Sequence, residues 1–212
     1  REVSRQTPYV AEAGHFARRA LQNIALSYLM LSGKPEVVAA CVEQFEEADN
    51  MTERLTALAV LVNSGFEAER DNALASFAEH FKDNPLVMDQ WFSVQAGNTQ
   101  PGGLERIQHL MQHPAFTLKN PNKVRALIGA FANQNLVNFH RADGAGYRFL
   151  ADQVIVLNKL NPQIASRLLA PLTRWRKYDT SRQALMKAEL ERILASGELS
   201  SDVYEVVSKS LA

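Results

Sequence analysis

The segment Asn120-Pro121-Asn122-Lys123-Val124-Arg125-Ala126-Leu127-Ile128-Gly129-Ala130-Phe131 has the pattern of an amphipathic helix with a defined start. Asn120 suits the N-cap, and Pro121 suits the first helical position, where its missing N–H costs nothing. Apolar residues follow at i, i+3, i+4 and i+7, on one side of a helix: Val124, Leu127, Ile128 and Phe131. Arg125 lies off this stripe, beside two small residues. The segment therefore predicts a helix that carries its arginine away from the apolar side.

The same Asn-Pro opening occurs at Asn84-Pro85 and at Asn161-Pro162. The three starts are 36 and 41 residues apart, close to the length of two-helix HEAT or armadillo units. No strand alternation appears, and Gly and Pro fall between the predicted helices. The sequence therefore predicts an all-α fold, an irregular α-solenoid or superhelix of two-helix armadillo/HEAT-like units.

Two parts are expected within one domain that spans residues 1–212. Helical hairpins occupy residues 10–82, and repeat-like units occupy residues 84–212. The first helix is expected to bring four apolar residues near one side: Phe16, Ala20, Ile24 and Leu31. Residues 133–138 are expected to form a polar link. Because the chain opens with Arg1 rather than Met and has no signal-peptide pattern, it is expected to be one domain of a larger protein.

The net charge is zero, but the charges are unevenly distributed along the chain. Residues 1–105 carry −7, residues 106–178 carry +9 and residues 179–212 carry −2. The basic block contains eleven Lys or Arg residues and two acidic ones, Asp143 and Asp152. Such a block attracts anions, unless it pairs with the acidic first half inside one fold. The sequence leaves both possibilities open.

The chain lacks the common signatures of a catalytic centre. There is no H-E-x-x-H, no phosphate-binding glycine loop and no G-x-S-x-G. His109 and His113 have the spacing of two ligands on one helix, but no carboxylate lies near them in sequence, so a structural or surface pair is expected. We therefore predict no catalytic residue and no metal ligand in this chain.

Location is predicted from what the sequence contains. No apolar run reaches the length of a membrane span. Cys41 is the only cysteine, so no internal disulfide can form and a reducing, cytoplasmic location is expected.

The basic block contains a candidate binding face. Four residues fall on one side of a predicted helix: Gln163, Arg167, Ala170 and Arg174. Arg125 and Arg167 are 42 residues apart, about one two-helix unit, so stacked units would direct both guanidinium groups into one groove. A guanidinium suits carboxylate or phosphate through paired hydrogen bonds. The alternative is that each arginine is a surface residue or pairs with the acidic half.

A second basic stretch interleaves cations and aromatic rings. Residues 174–178 read Arg-Trp-Arg-Lys-Tyr. They would either stack nucleic-acid bases or surround a packed Trp175 with solvated charges, and we favour the packed tryptophan.

Several blocks of the sequence resemble the C-terminal helical domain of bacterial aminopeptidase N, the zinc alanyl aminopeptidases. These blocks are residues 84–92 (NPLVMDQWF), 120–131 (NPNKVRALIGAF), 143–147 (DGAGY), 161–168 (NPQIASRL) and 201–212 (SDVYEVVSKSLA). The resemblance covers essentially the whole chain and is weakest in residues 1–9 and 63–83.

The resemblance implies a superhelical cap that closes over an active site and encloses a cavity for the peptide. In the family, the zinc ligands (an H-E-x-x-H helix and a more distant Glu) and the G-x-M-E-N motif lie in an earlier domain. Neither motif occurs in this sequence, so zinc is expected in the upstream domain of the parent and no cofactor in this chain. By the same resemblance, Arg125, Gln163 and Arg167 line the cavity near the substrate.

The sequence thus predicts the C-terminal cap of a zinc-dependent aminopeptidase N, a metalloprotease that removes N-terminal amino acids from peptides. This chain would wall the cavity and bind the peptide's C-terminal carboxylate. Its partners would be the peptide and the upstream catalytic and N-terminal domains of the same polypeptide, with neither membrane nor nucleic acid expected. The isolated chain is expected to have no peptidase activity, to bind no zinc, and to expose an apolar patch in its first half.

The alternative is a free-standing helical-repeat binding module. Its basic block would grip nucleic acid or an acidic protein, and its affinity for nucleic acid would fall linearly with salt on a log–log plot.

Overall fold

The computed structural model describes residues 9–212, and every regular element in that range is helical. The all-α prediction is therefore confirmed. The chain divides into two compact units, the first ending at Asp83 and the second running from Asn84 to Ala212. No helix within residues 9–212 combines the length and the apolar character needed to cross a bilayer.

The first unit is a small helical bundle. Its helices are α1 (Ala13–Met30), α2 (Pro35–Glu47), α3 (Met51–Val62) and α4 (Glu67–Phe81). The helices α2 and α3 form the central hairpin, and α1 and α4 pack against it. Cys41 is fully buried in this hairpin, with its sulfur 3.6 Å from the carbonyl oxygen of Ala57. It serves there as a small core residue.

Helix α1 buries a different side from the one that its apolar residues predict, so that expectation was wrong. The expected side is exposed, at 50% for Phe16, 56% for Ile24 and 82% for Leu31. Arg19 and Asn23 lie on the buried side instead. Arg19 donates to the carbonyl oxygen of Val10 at 3.3 Å, and Asn23 Oδ1 accepts from Gln44 Nε2 at 2.9 Å. Burial of these polar groups is possible because partners outside the helix satisfy them.

Helix α1 consequently presents large apolar side chains to solvent. We call four of them the exposed apolar face of α1: Phe16, Leu21, Ile24 and Tyr28, which are 50%, 70%, 56% and 72% exposed. They lie in the first half of the chain, where an apolar patch was expected. A single exposed apolar residue needs no explanation, but a cluster of them on one helix is typical of an interaction surface.

The second unit begins with a run of short helices. They are α5 (Pro85–Ala96), α6 (Gly103–Leu110), α7 (Pro121–Val124), α8 (Ala130–Gln134) and α9 (Leu136–Phe139). A π-helical turn, Arg125–Gly129, joins α7 to α8. The predicted helix over residues 121–132 is thus present but contains this irregular turn.

The rest of the second unit is built on one long helix. The elements are α10 (Ala145–Leu160), α11 (Pro162–Leu168), α12 (Ala170–Thr173), a 3-10 turn (Trp175–Lys177), α13 (Thr180–Leu194) and α14 (Ser201–Leu211). The helix α10 packs against α11 and α13, and α14 packs against α11 and α13. The core holds many fully buried large residues, among them Phe92, Leu127, Phe131, Phe139 and Tyr147.

The Asn-Pro openings act as the sequence predicts. The side chains of Asn84, Asn120 and Asn161 each cap a helix by accepting a backbone N–H one or two positions beyond the proline. The donors are Val87 N, Asn122 N and Ile164 N. The proline follows each cap at a position that needs no donor. These three starts align α5, α7 and α11 as the opening helices of their units.

Residues 133–138 are more than the polar link expected from their composition. Asn135 and Asn138 are 0% and 4% exposed. Asn135 Nδ2 donates to the carbonyl oxygens of Ala96 at 3.0 Å and Asn98 at 2.7 Å, and Asn138 Oδ1 accepts from Gly103 N at 3.2 Å. The two amides satisfy backbone groups of the α5–α6 loop that would otherwise be buried without partners. A polar segment can therefore be core when its side chains replace secondary structure.

Candidate functional site

A cavity of about 310 Å³ opens within the second unit, beside the π-helical turn. Its lining contains two of the three residues that the sequence singles out for binding, Arg125 and Arg167. The remaining lining residues are Ser93, Gly129, Ala130, Asn133, Gln134, Ile164 and Leu168. The structure therefore brings together two arginines that are 42 residues apart in sequence.

Arg125 is positioned by the turn that it opens. In this turn Ala130 N donates to the carbonyl oxygen of Arg125, five residues earlier, which widens the helix by one residue. Two buried side chains of the turn, Leu127 and Ile128, hold it against the core. Arg125 itself is exposed, and its guanidinium donates to Asn122 Oδ1. That bond uses one of its five N–H donors and leaves the others for a ligand.

Two further side chains of the cavity hold the carbonyl groups of the π-helical turn. Ser93 Oγ, on the neighbouring α5, donates to the carbonyl oxygen of Ala126 at 3.0 Å. Asn133 Nδ2 donates to the carbonyl oxygen of Gly129 at 2.8 Å. Reasoning from sequence missed both residues, because a single serine or asparagine has no periodic signal. Irregular π-helical turns occur frequently at functional sites, which adds to the interest of this one.

Arg167 reaches the cavity from the last turn of α11. Ile164 and Leu168 from the same helix are buried and complete the apolar part of the lining. The sequence predicts one helix over residues 162–173, whereas α11 ends at Leu168 and α12 begins at Ala170. Pro171 explains the break, since it has no N–H to donate to the carbonyl oxygen of Arg167. The guanidinium of Arg167 thus sits at a helix C-terminus, where cations are favoured.

Gln163 is not brought to this cavity. It is exposed on α11, one residue before the lining begins at Ile164. Arg174, on the same predicted face, is also exposed and lies outside the lining. The proposed contact of Gln163 with substrate stays a prediction.

The charges around the cavity are unbalanced. Within residues 9–212, neither Arg125 nor Arg167 forms an ion pair with a carboxylate. Other members of the basic block do find acidic partners in the same unit. Lys123 pairs with Asp89 at 2.8 Å, and Arg141 pairs with Asp143 at 2.6 Å. The two cavity arginines are therefore cations available to an anionic ligand.

The histidines occupy structural positions. His113 lies against the rings of Trp91 and Phe92, its Nδ1 accepts from Ala115 N at 3.1 Å, and burial lowers its pKa. His140 bridges the hydroxyl groups of Tyr147 at 2.8 Å and Tyr178 at 3.1 Å. Burial lowers the pKa of His140 and raises that of Tyr147 to about 12. The part of the chain described by the structure contains no group of three His, Cys, Asp or Glu residues able to hold a metal ion.

Trp175 is packed, which is the alternative favoured from the sequence. Its Nε1 donates to the carbonyl oxygen of Ser210 at 3.1 Å, and Arg176 Nη1 donates to the same oxygen at 2.8 Å. The Arg176 guanidinium lies 4.3 Å from the centroid of the Trp175 ring. These contacts fasten the 3-10 turn to the end of α14.

Comparison with known proteins gives consistent matches. A family model described as a domain of unknown function (DUF3458_C) with ARM repeats matches residues 1–212. Aminopeptidase N of Escherichia coli and that of Haemophilus influenzae are each 41% identical over 207 residues, which cover 98% of this chain and 24% of the relative. These matches confirm the resemblance to the C-terminal helical domain of bacterial aminopeptidase N.

A solved structure agrees with the fold. The crystal structure of Legionella pneumophila aminopeptidase A in complex with aspartic acid matches with a TM-score of 0.90 and 35% identity. The match covers 99% of this chain and 25% of that one. The chain therefore spans about a quarter of the length of the relatives that it matches.

Proposed function

The chain belongs to the DUF3458_C family of ARM-repeat domains, and from this membership we propose that it is the C-terminal cap of a zinc-dependent aminopeptidase N. The parent protein would remove N-terminal amino acids from peptides. The names of the relatives support the reaction class, and the α-helical architecture fits a cap that stacks helical pairs into an irregular superhelix. A cytoplasmic location is part of the same proposal.

Zinc enters this proposal only through the parent. When bound, the metal would supply the activated water that attacks the peptide carbonyl. The described residues of this chain offer no set of three ligands, so we assign the ion to an upstream catalytic domain and no chemical step to this chain. What this chain contributes is binding and orientation of the part of the substrate that does not react.

The observation that carries the proposed role is the pair of carboxylate-free arginines on one cavity. We propose that Arg125 and Arg167 attract the C-terminal carboxylate of the peptide, with Gln163 beside them. An aminopeptidase must accept peptides of different length, and a cationic cavity attracts the distant end without fixing that length. The guanidinium forks suit a carboxylate through paired hydrogen bonds.

The upstream domains would be the main protein partner. The exposed apolar face of α1 is the surface that we propose for this contact, because leaving such side chains in water is unfavourable. The relatives have about three quarters of their length outside the matched region, which is enough chain to cover that face.

The test uses the full-length protein that contains this chain. Arg125→Ala and Arg167→Ala should each raise KM for short peptides roughly tenfold with little change in kcat, since a hydrogen bond to a charged group is typically worth ~1.5 kcal/mol or more. Single amino-acid amides lack the carboxylate and should be cleaved normally. Arg174→Ala is the matched control, because Arg174 is exposed but outside the cavity. Equal losses on peptides and amides would show that the arginines maintain structure rather than bind substrate.

A further inference from the structure

The cavity holds more positive charge than one carboxylate can neutralise. A peptide C-terminus carries a single carboxylate, and the bidentate geometry that satisfies one guanidinium uses both of its oxygens. If that group binds at Arg125, Arg167 keeps an unbalanced charge, and the reverse is equally true. The arrangement is therefore better matched by a ligand with two anionic groups.

The rest of the lining is compatible with a second anionic group. Apart from the two arginines, every lining residue is uncharged, and three of these are polar: Ser93, Asn133 and Gln134. No carboxylate of the lining would repel the ligand. The volume of about 310 Å³ lies at the small end of the range for ligand pockets, so it suits a terminal residue rather than a long segment.

Neighbouring cations do not change this count. Lys123 precedes Arg125 by two positions, but its ammonium is buried and paired with Asp89. Arg174 is exposed but does not line the cavity. The positive charge that faces a ligand in the cavity is therefore that of Arg125 and Arg167.

We infer that the cavity selects peptides whose C-terminal residue is Asp or Glu. The α-carboxylate binds one guanidinium and the side-chain carboxylate binds the other, so the last residue alone satisfies both cations. The inference rests on the proposed function, that the cavity receives the C-terminal end of a peptide, and it adds a preference for the nature of that end.

The experiment measures binding of N-acetylated tripeptides to the full-length protein, since the acetyl group prevents their cleavage. Ac-Gly-Gly-Glu should bind roughly fivefold more tightly than Ac-Gly-Gly-Gln, the gain of one exposed ion pair of ~1 kcal/mol. Ac-Glu-Gly-Gly has the same total charge but separates its carboxylates, and it should bind like the Gln peptide. Equal binding of the two Glu peptides would overturn the inference, because total charge alone would then explain the gain.

Variants test which residues are responsible. Arg125→Gln and Arg167→Gln should each reduce the Glu-to-Gln preference to about one, whereas Arg174→Gln should leave it unchanged. All three positions are exposed, so these substitutions leave the core intact. A preference that survives both cavity variants would place the second carboxylate elsewhere and refute the inference.

A further pair of ligands separates the two proposals. If Ac-Gly-Gly-Gln and its C-terminal amide bind equally, the proposed carboxylate site fails and the inference fails with it. If the free acid binds better than the amide but the Glu peptide shows no advantage, the carboxylate site stands and only the inference is rejected.

Discussion

A lysine and an aspartate are buried together where two Asn-Pro helices meet. Lys123 Nζ lies 2.8 Å from Asp89 Oδ1, and the two side chains are 6% and 14% exposed. The ammonium also donates to the carbonyl oxygen of Pro85 at 3.0 Å and lies 5.5 Å from the centroid of the Phe92 ring. These contacts compensate for the cost of removing the charges from water. The pair fastens α7 to the first turns of α5.

Replacing Lys123 alone should therefore be costly. Lys123→Met leaves Asp89 buried without a counter-charge, and we expect a loss of ~3 kcal/mol in the free energy of unfolding, measured by urea denaturation. Lys123→Met with Asp89→Leu should recover much of this loss, because no unpaired charge remains. Lys82→Met, which removes an exposed pair with Glu79, is the control and should leave stability unchanged. A single Lys123→Met variant as stable as the original chain would contradict this account.

At the scale of single elements, the bond between Ser93 and the π-helical turn links α5 to the residue that presents Arg125. Ser93→Ala removes the 3.0 Å hydrogen bond to the carbonyl oxygen of Ala126 without opening a large space. We expect a stability loss of ~1 kcal/mol and a rise of several-fold in KM for short peptides, with kcat and the cleavage of amides unchanged. Unfolding and steady-state kinetics measure the two effects separately.

Ser93→Thr keeps the hydroxyl and is the matched variant. It should restore KM if the hydrogen bond positions the turn. A Ser93→Ala variant with normal KM for peptides would show that the turn holds Arg125 in place without this bond.

The helices show what could be predicted from local sequence and what could not. The starts of α5, α7 and α11 follow from Asn-Pro pairs, because a cap and a proline act within a few residues. The π-helical turn was not predictable, since its Leu127 and Ile128 fit an ordinary helical stripe equally well. The buried side of α1 was also missed, because the partners of Arg19 and Asn23 come from other parts of the chain.

The candidate site was predicted to the same extent. Arg125 and Arg167 could be paired from a spacing of one repeat unit, and the cavity contains both. Ser93, Asn133 and Gln134 could not be found, because what distinguishes them is their position around the cavity. Repeat spacing therefore identifies which residues share a groove, and only three-dimensional contacts identify what surrounds them.

At the scale of the whole molecule, the exposed apolar face of α1 is the surface with the clearest need for a partner. In the full-length protein, replacing Leu21 and Ile24 by Gln should lower the free energy of unfolding by ~1 kcal/mol for each residue, if that face is covered. In the isolated chain the same double variant should reduce concentration-dependent association, measured by sedimentation velocity.

The second unit offers a matched control for this prediction. Leu136 and Val137 are also exposed, at 56% and 67%, and lie outside α1. Replacing both by Gln should change neither the stability of the full-length protein nor the association of the isolated chain. A full-length protein that tolerates the α1 variant as well as this control would show that the face is open to solvent there.

The π-helical turn also makes the cavity depend on chain length. An α-helix advances by roughly 100° per residue, so deleting one residue between Arg125 and Gly129 would let the turn close into regular helix and rotate everything beyond it by that angle. Asn133 would then face away from the cavity that it now lines, even though no lining residue had been substituted. An alignment gap of one position in this stretch would therefore mark the relatives that have lost the cavity, and a comparison of side chains alone would overlook them.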